Sequence, residues 1–139
     1  MKNSQSVRTI ASIRVAAWLA VGGAIVTSVL PGELRPQLTE IDYLEHFTAY
    51  FVIGGLSGIA YPRTRQLAAS AIMLVLCSGA LEIVQHWIPD RTVSIGDFAA
   101  SVAGAGAGLI LSCVAGRIAT CTRTGSATVP SPNQPMKAL

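Results

Sequence analysis

The residues able to do chemistry fall in two short stretches of this chain. In the first, Asp42, His46 and Tyr50 are spaced by four, which on a helix sets them along one face. In the second, Glu82 is followed at three and four positions by Gln85 and His86, again on one side of a helix, and Arg91 and Asp97 come soon after. A carboxyl group and an imidazole held together can exchange a proton as acid and base. An arginine beside them offers a fork for a phosphate or carboxylate. His46, Glu82, His86 and Asp97 also offer nitrogen and oxygen donors to a metal. Glu82-x-x-Gln85, however, lacks the histidine of the di-iron Glu-x-x-His pattern, and the sequence calls for no metal and no cofactor.

Four apolar segments must position these residues. A helix of about 20 apolar residues crosses a bilayer core, and candidates run over 13–30, 44–61, 67–88 and 97–114. Pro31-Gly32, Pro62, Pro89 and Gly116-Arg117 close them. The expected fold is therefore all-α, an integral membrane bundle of four transmembrane helices. Residues 1–12 precede the bundle, 13–116 form it, and 117–139, rich in Pro, Ser and Thr, are expected to be a disordered tail. Only 12% of the 139 residues are charged, against about 25% in soluble domains. A cleaved signal peptide fits poorly, since no small-x-small site follows the first apolar run.

Charge placement orients the bundle. Lys2, Arg8, Arg14, Arg63, Arg65, Arg117, Arg123 and Lys137 lie in the two termini and the middle loop, whereas only Arg35 and Arg91 lie in the other two loops. The positive-inside rule then gives both termini in the cytoplasm. It also explains the basic pI of about 9.0 without a nucleic-acid partner, because the charges flank apolar runs instead of striping a polar face. Asp42, Glu45, His46, Tyr50, Glu82, Gln85, His86, Arg91, Ser94 and Asp97 gather at the outer end. Cys77, Cys113 and Cys121 form no paired framework.

Each polar residue also has a structural reading. Asp97 balances a helix dipole, Asp42 and Glu45 stand solvated at the interface, and His86 is a wetted side chain. Glu82 lies seven residues before Pro89, about 10 Å below the helix end at 1.5 Å per residue. An acid at that depth faces a bundle interior or a wet cavity. Gly54 and Gly58, and Ala100, Gly104 and Gly108, are spaced by four and read as helix-packing faces. Packing within the chain is the first reading, and a homodimer through one such face is the alternative.

Asp42-x-x-x-His46-Phe47-x-x-Tyr50, Glu82-x-x-Gln85 leading into Pro89-Asp90-Arg91, and Asp97 before a glycine-rich helix together resemble the VanZ-like family of small multi-spanning bacterial envelope proteins. The resemblance covers about 42–108. It departs at Tyr43, where the family often has lysine, and at Ser101, where it often has asparagine. It implies the bacterial cytoplasmic (inner) membrane, association with the cell envelope and, by analogy with founding members, altered susceptibility to teicoplanin-type glycopeptides. It brings no established reaction.

Three functions follow. The first is a non-enzymatic envelope protein that binds membrane lipids or a lipid-linked envelope precursor, with Asp42, His46, Tyr50, Glu82, Gln85, Arg91 and Asp97 as its polar site. The second is a membrane-embedded acid/base or metal-dependent enzyme acting on a lipid head group. The third, a proton-coupled carrier, needs polar groups near the midplane, and here they sit at one end.

Overall fold

In the computed structural model, residues 2–31, 42–88 and 93–126 are described. They form four helices: α1 (Lys2–Val29), α2 (Asp42–Ala60), α3 (Thr64–Gln85) and α4 (Ile95–Ser126). The expected all-α architecture holds, with no strand among the described residues.

Two helices outrun their expected lengths. α1 starts near the N-terminus, and α4 continues ten residues past Gly116. Hydroxyl side chains in these polar extensions bond back to the preceding turn: Thr9 to the Gln5 carbonyl at 2.9 Å, Thr120 to that of Arg117 at 2.8 Å, and Thr122 to that of Ala119 at 3.1 Å. That lets small polar residues lie along a helix instead of ending it. The expected tail from 117 is thus helical up to Ser126, and 127–139 lie outside the described residues. α3 stops earlier than expected, at Gln85. His86, Trp87 and Ile88 donate to the carbonyls three residues back, at 3.2, 3.1 and 3.1 Å, the tightened turn typical of a helix end.

Three helices are long and apolar enough to cross a membrane, over Val7–Val29, Thr64–Gln85 and Ile95–Thr122. The expectation of four such segments fails at α2. Its 19 residues span about 28 Å, but Asp42, Glu45 and His46 in its first turns leave it less apolar than a span.

The chain runs up, down, up, down. At one end, Gln85 at the close of α3 bonds the Ser28 carbonyl at the close of α1, so α1 and α3 point the same way. α2 and α4 are parallel to each other: Phe47 faces Gly104, Phe51 faces Gly108, Gly54 faces Ala105 and Gly58 faces Ser112. At the opposite end, Arg14 Nε donates to the Ala60 carbonyl at 3.4 Å and its guanidinium lies 5.1 Å from the Tyr61 ring centroid. Trp18 donates its indole N–H to the Tyr61 hydroxyl at 3.2 Å. A cation on the last carbonyl of α2 also suits the negative end of that helix.

The burial pattern inverts that of a water-soluble bundle. On α3 the buried residues are Ser70, Leu74, Ser78, Glu82 and Gln85, at helical spacing. Its outward face carries Ile72 (61% exposed), Leu76 (67%) and Ile83 (61%). Polar and small side chains share the interior with Tyr50, Ile53 and Leu74, while many large aliphatic ones face out. In water that surface would aggregate; in hydrocarbon it carries no penalty, and interior polar groups link helices.

Candidate functional site at the polar end of the bundle

The last turn of α3 carries two of the predicted residues. Gln85 is 3% exposed and its Nε2 donates to the Ser28 carbonyl at 3.3 Å. That carbonyl is among the last four of α1, which have no partner within their own helix. Gln85 therefore caps a neighbouring helix. Glu82, also buried, accepts a hydrogen bond from the Ser94 backbone N–H. Because α3 ends at Gln85, Glu82 stands one turn from the helix end, about 4.5 Å, instead of the expected 10 Å.

Ser94 opens α4. Its hydroxyl accepts the Asp97 N–H at 3.3 Å and its carbonyl accepts the Asp97 and Phe98 N–H groups at 3.1 and 3.2 Å. Ser94-x-x-Asp97 is a helix-capping pattern, legible as a spacing before the apolar run. Glu82 thus sits where the negative end of α3 meets the positive end of α4, and the second compensates the first. Asp97 is partly buried in the first turn of α4, the place its dipole reading requires.

On α2, His46 Nδ1 lies 3.4 Å from the hydroxyl of Ser101, which is almost fully buried on α4. Tyr50 is buried beside Ile53, Leu74 and Ala105, with its hydroxyl near the Cys77 and Ser78 side chains of α3. Asp42 is exposed at the start of α2. Arg91 lies outside the described residues. The predicted residues thus meet as links between helices: α1 to α3 through Gln85, α3 to α4 through Glu82, α2 to α4 through His46, and α2 to α3 through Tyr50. Of the partners Ser28 and Ser94, only Ser94 stands at a distinctive spacing. Among the described residues, no three His, Cys, Asp or Glu side chains stand close enough to hold a metal ion.

A cleft of about 570 Å³ opens between α1 and α2 next to these links, within the range of small-molecule pockets, about 300–1,000 Å³. Ala20, Gly23 and Ala24 of α1 and Val52 and Ile53 of α2 line its length, and Thr27, Ser28, Glu45, His46 and Thr48 line the polar end. A side chain added at Gly23 would meet nothing within 4 Å at its Cβ. The cleft is thus long, chiefly apolar and polar at one end only. Sequence reading named polar residues and missed it, because its walls are ordinary Ala, Val and Ile.

The glycine faces decide how α2 sits. A Cβ on Gly104 would stand 3.0 Å from the carbonyl carbon of Phe47 and nearer still to its oxygen, and one on Gly108 would meet the backbone of Phe51, Gly54 and Gly55. Gly54 meets the Ala105 backbone in the same way, whereas Gly58 meets the Ser112 side chain. These four glycines lie in one contact between α2 and α4 within the chain, and Ala100 stands one turn before Gly104 on α4, partly buried.

No family model matches the chain, and no curated protein or solved structure matches it.

Proposed function

We propose that this chain is a VanZ-like cell-envelope protein of the bacterial cytoplasmic membrane that holds a lipid or lipid-linked envelope component in the α1–α2 cleft. The observation that carries this reading is the cleft itself: about 570 Å³, chiefly apolar and polar at one end, in a helix bundle whose outer surface is aliphatic. Its tail would lie against Ala20, Ala24 and Ile53, and its head group among Thr27, Glu45, His46 and Thr48.

In this proposal α1, α3 and α4 face the lipid and α2 is held at membrane depth by its contact with α4. Tyr43 and Tyr61, at the two ends of α2, are 18 residues apart, about 27 Å along a helix, close to the separation of the aromatic belts of a bilayer. Both termini lie in the cytoplasm, favoured by the eight basic residues of the termini and middle loop. The polar end then opens at the outer leaflet, where retention of an envelope component would alter susceptibility to a teicoplanin-type glycopeptide without catalysis.

The test is native mass spectrometry on protein extracted from membranes, comparing the wild type with Gly23→Leu and Gly22→Leu. A Cβ at either glycine would meet nothing within 4 Å, but only Gly23 lines the cleft. Loss of a co-purifying lipid in Gly23→Leu alone supports the reading. Equal lipid in all three proteins refutes it.

A further inference from the structure

The end of the bundle opposite the polar site carries arginines with donors to spare. Arg14 gives its Nε proton to the Ala60 carbonyl at 3.4 Å, and its guanidinium lies over the Tyr61 ring at 5.1 Å. A guanidinium has five N–H donors, so those on its two terminal nitrogens remain for a ligand. Arg63 and Arg65 follow within four residues of Tyr61, and both are exposed. Arg117 belongs to the same level: Gly58 faces Ser112 across the α2–α4 contact, and Arg117 stands five residues further, about 7.5 Å along the helix. The guanidinium groups of Arg63, Arg65 and Arg117 have no partner among the described residues. Asp42, Glu45, Glu82 and Asp97, the four acidic residues among the described ones, all lie at the far end. Arg63 also caps α3 without a side-chain hydrogen bond, so the positive end of that helix adds to the arginines.

An apolar surface begins where the arginines stand. Val15, Trp18 and Leu19 share one face of α1 and are exposed, and none of them lines the cleft. Trp18 is tied to the arginine end by its indole N–H on the Tyr61 hydroxyl. A soluble anion would use the arginines and leave that apolar face bare, whereas a phospholipid uses both. Its phosphate matches the guanidinium fork, and its chain continues along α1. A head group bearing an amine would bring a second positive charge among arginines with no carboxylate to receive it.

We propose that Arg14, Arg63 and Arg65 form a site for a net anionic phospholipid, of the phosphatidylglycerol type, in the leaflet opposite the polar end. The phosphate lies among the three guanidinium groups, with Arg117 adding to the positive field, and one acyl chain follows Val15 and Leu19. The site goes beyond the cleft and does not depend on it.

The experiment uses full-length protein with Trp87→Phe, which leaves Trp18 as the one tryptophan, in phosphatidylcholine vesicles with the same lipids in both leaflets. Quenching of Trp18 at low salt compares phosphatidylglycerol with phosphatidylcholine, each brominated on its acyl chains. Phosphatidylglycerol should win by at least about threefold, the scale of one exposed ion pair. Arg63→Gln and Arg65→Gln should each lower that preference and together abolish it. Arg8→Gln removes an equal charge six residues before Arg14, about 9 Å further out, and should leave the preference in place, as should Gly23→Leu in the cleft. Equal quenching by the two lipids, or a preference that survives loss of both Arg63 and Arg65, overturns the proposal. A loss in Arg8→Gln as large as in Arg63→Gln overturns it in favour of diffuse charge attraction. A loss in Gly23→Leu overturns it by placing the quenching lipid in the cleft, and that outcome leaves the cleft reading standing. Displacement of the lipid by millimolar inorganic phosphate overturns it in favour of a soluble anion.

Discussion

Placing alanine at Gly104 and at Gly106 should move stability in opposite directions, although the two positions are two residues apart on one helix. Both substitutions gain the same backbone term: alanine is better than glycine in a helix interior by about 0.8–1 kcal/mol. At Gly106 nothing lies within 4 Å of the new Cβ, so the gain stands unopposed. At Gly104 the Cβ enters the backbone of Phe47, and a carbonyl fixed in α2 cannot rotate away as a side chain would. Overpacking of this kind costs about 1–3 kcal/mol. Because the propensity term cancels in the difference between the two variants, Gly104→Ala should be less stable than Gly106→Ala by that same amount, about 1–3 kcal/mol. The assay is reversible unfolding in mixed micelles by sodium dodecyl sulfate, followed by circular dichroism. Gly58→Ala provides a graded control, since its obstacle is the Ser112 side chain, whose hydroxyl now bonds the Leu109 carbonyl at 2.7 Å and can turn aside. It should fall between the two. A Gly104→Ala protein as stable as Gly106→Ala would refute the close α2–α4 crossing, and with it the placement of α2 at membrane depth.

The links at the polar end give further predictions. Gln85→Leu removes the amide that donates to the Ser28 carbonyl, at a cost of about 1 kcal/mol for a lost hydrogen bond, and should raise hydrogen exchange in the last turn of α1; unchanged exchange there would disprove the cap. Ser94→Ala should cost about 1 kcal/mol, with Ser94→Asp restoring most of it, read from amide protection at Asp97 and Phe98. Ser101→Ala should change the nitrogen shifts of the His46 ring in labelled protein, because its Nδ1 loses a hydroxyl partner; identical shifts would show that contact to be absent. Arg14→Leu should weaken the hold of α1 on the end of α2 and change Trp18 emission, since Trp18 and Arg14 share Tyr61.

Much of the architecture was legible along the chain. Apolar runs closed by Pro and Gly located four helices, since a proline or a glycine with polar neighbours ends an apolar helix in any fold. The spacing of four placed Gly54, Gly58, Gly104 and Gly108 on faces, because helical periodicity is a local property. Capping at Ser94 and Asp97 was local too, and so was the bias of basic residues toward one end. Helix ends were less legible: Thr9, Thr120 and Thr122 carry α1 and α4 onward by bonds to their own backbones, and composition alone does not register those.

Only the tertiary structure decided which glycine meets which backbone, and so separated Gly104 from Gly106. It likewise assigned Gln85 to a carbonyl 57 residues away and His46 to Ser101 on another helix, pairings that depend on how helices rotate about their axes. The cleft is the clearest case. Its volume belongs to the space between α1 and α2, with α1 held to the end of α2 at Tyr61 and to α3 at Gln85, and no residue type or spacing along one stretch of sequence encodes a gap between two. Periodicity is written locally and survives in sequence; contact and empty space arise only when distant faces meet.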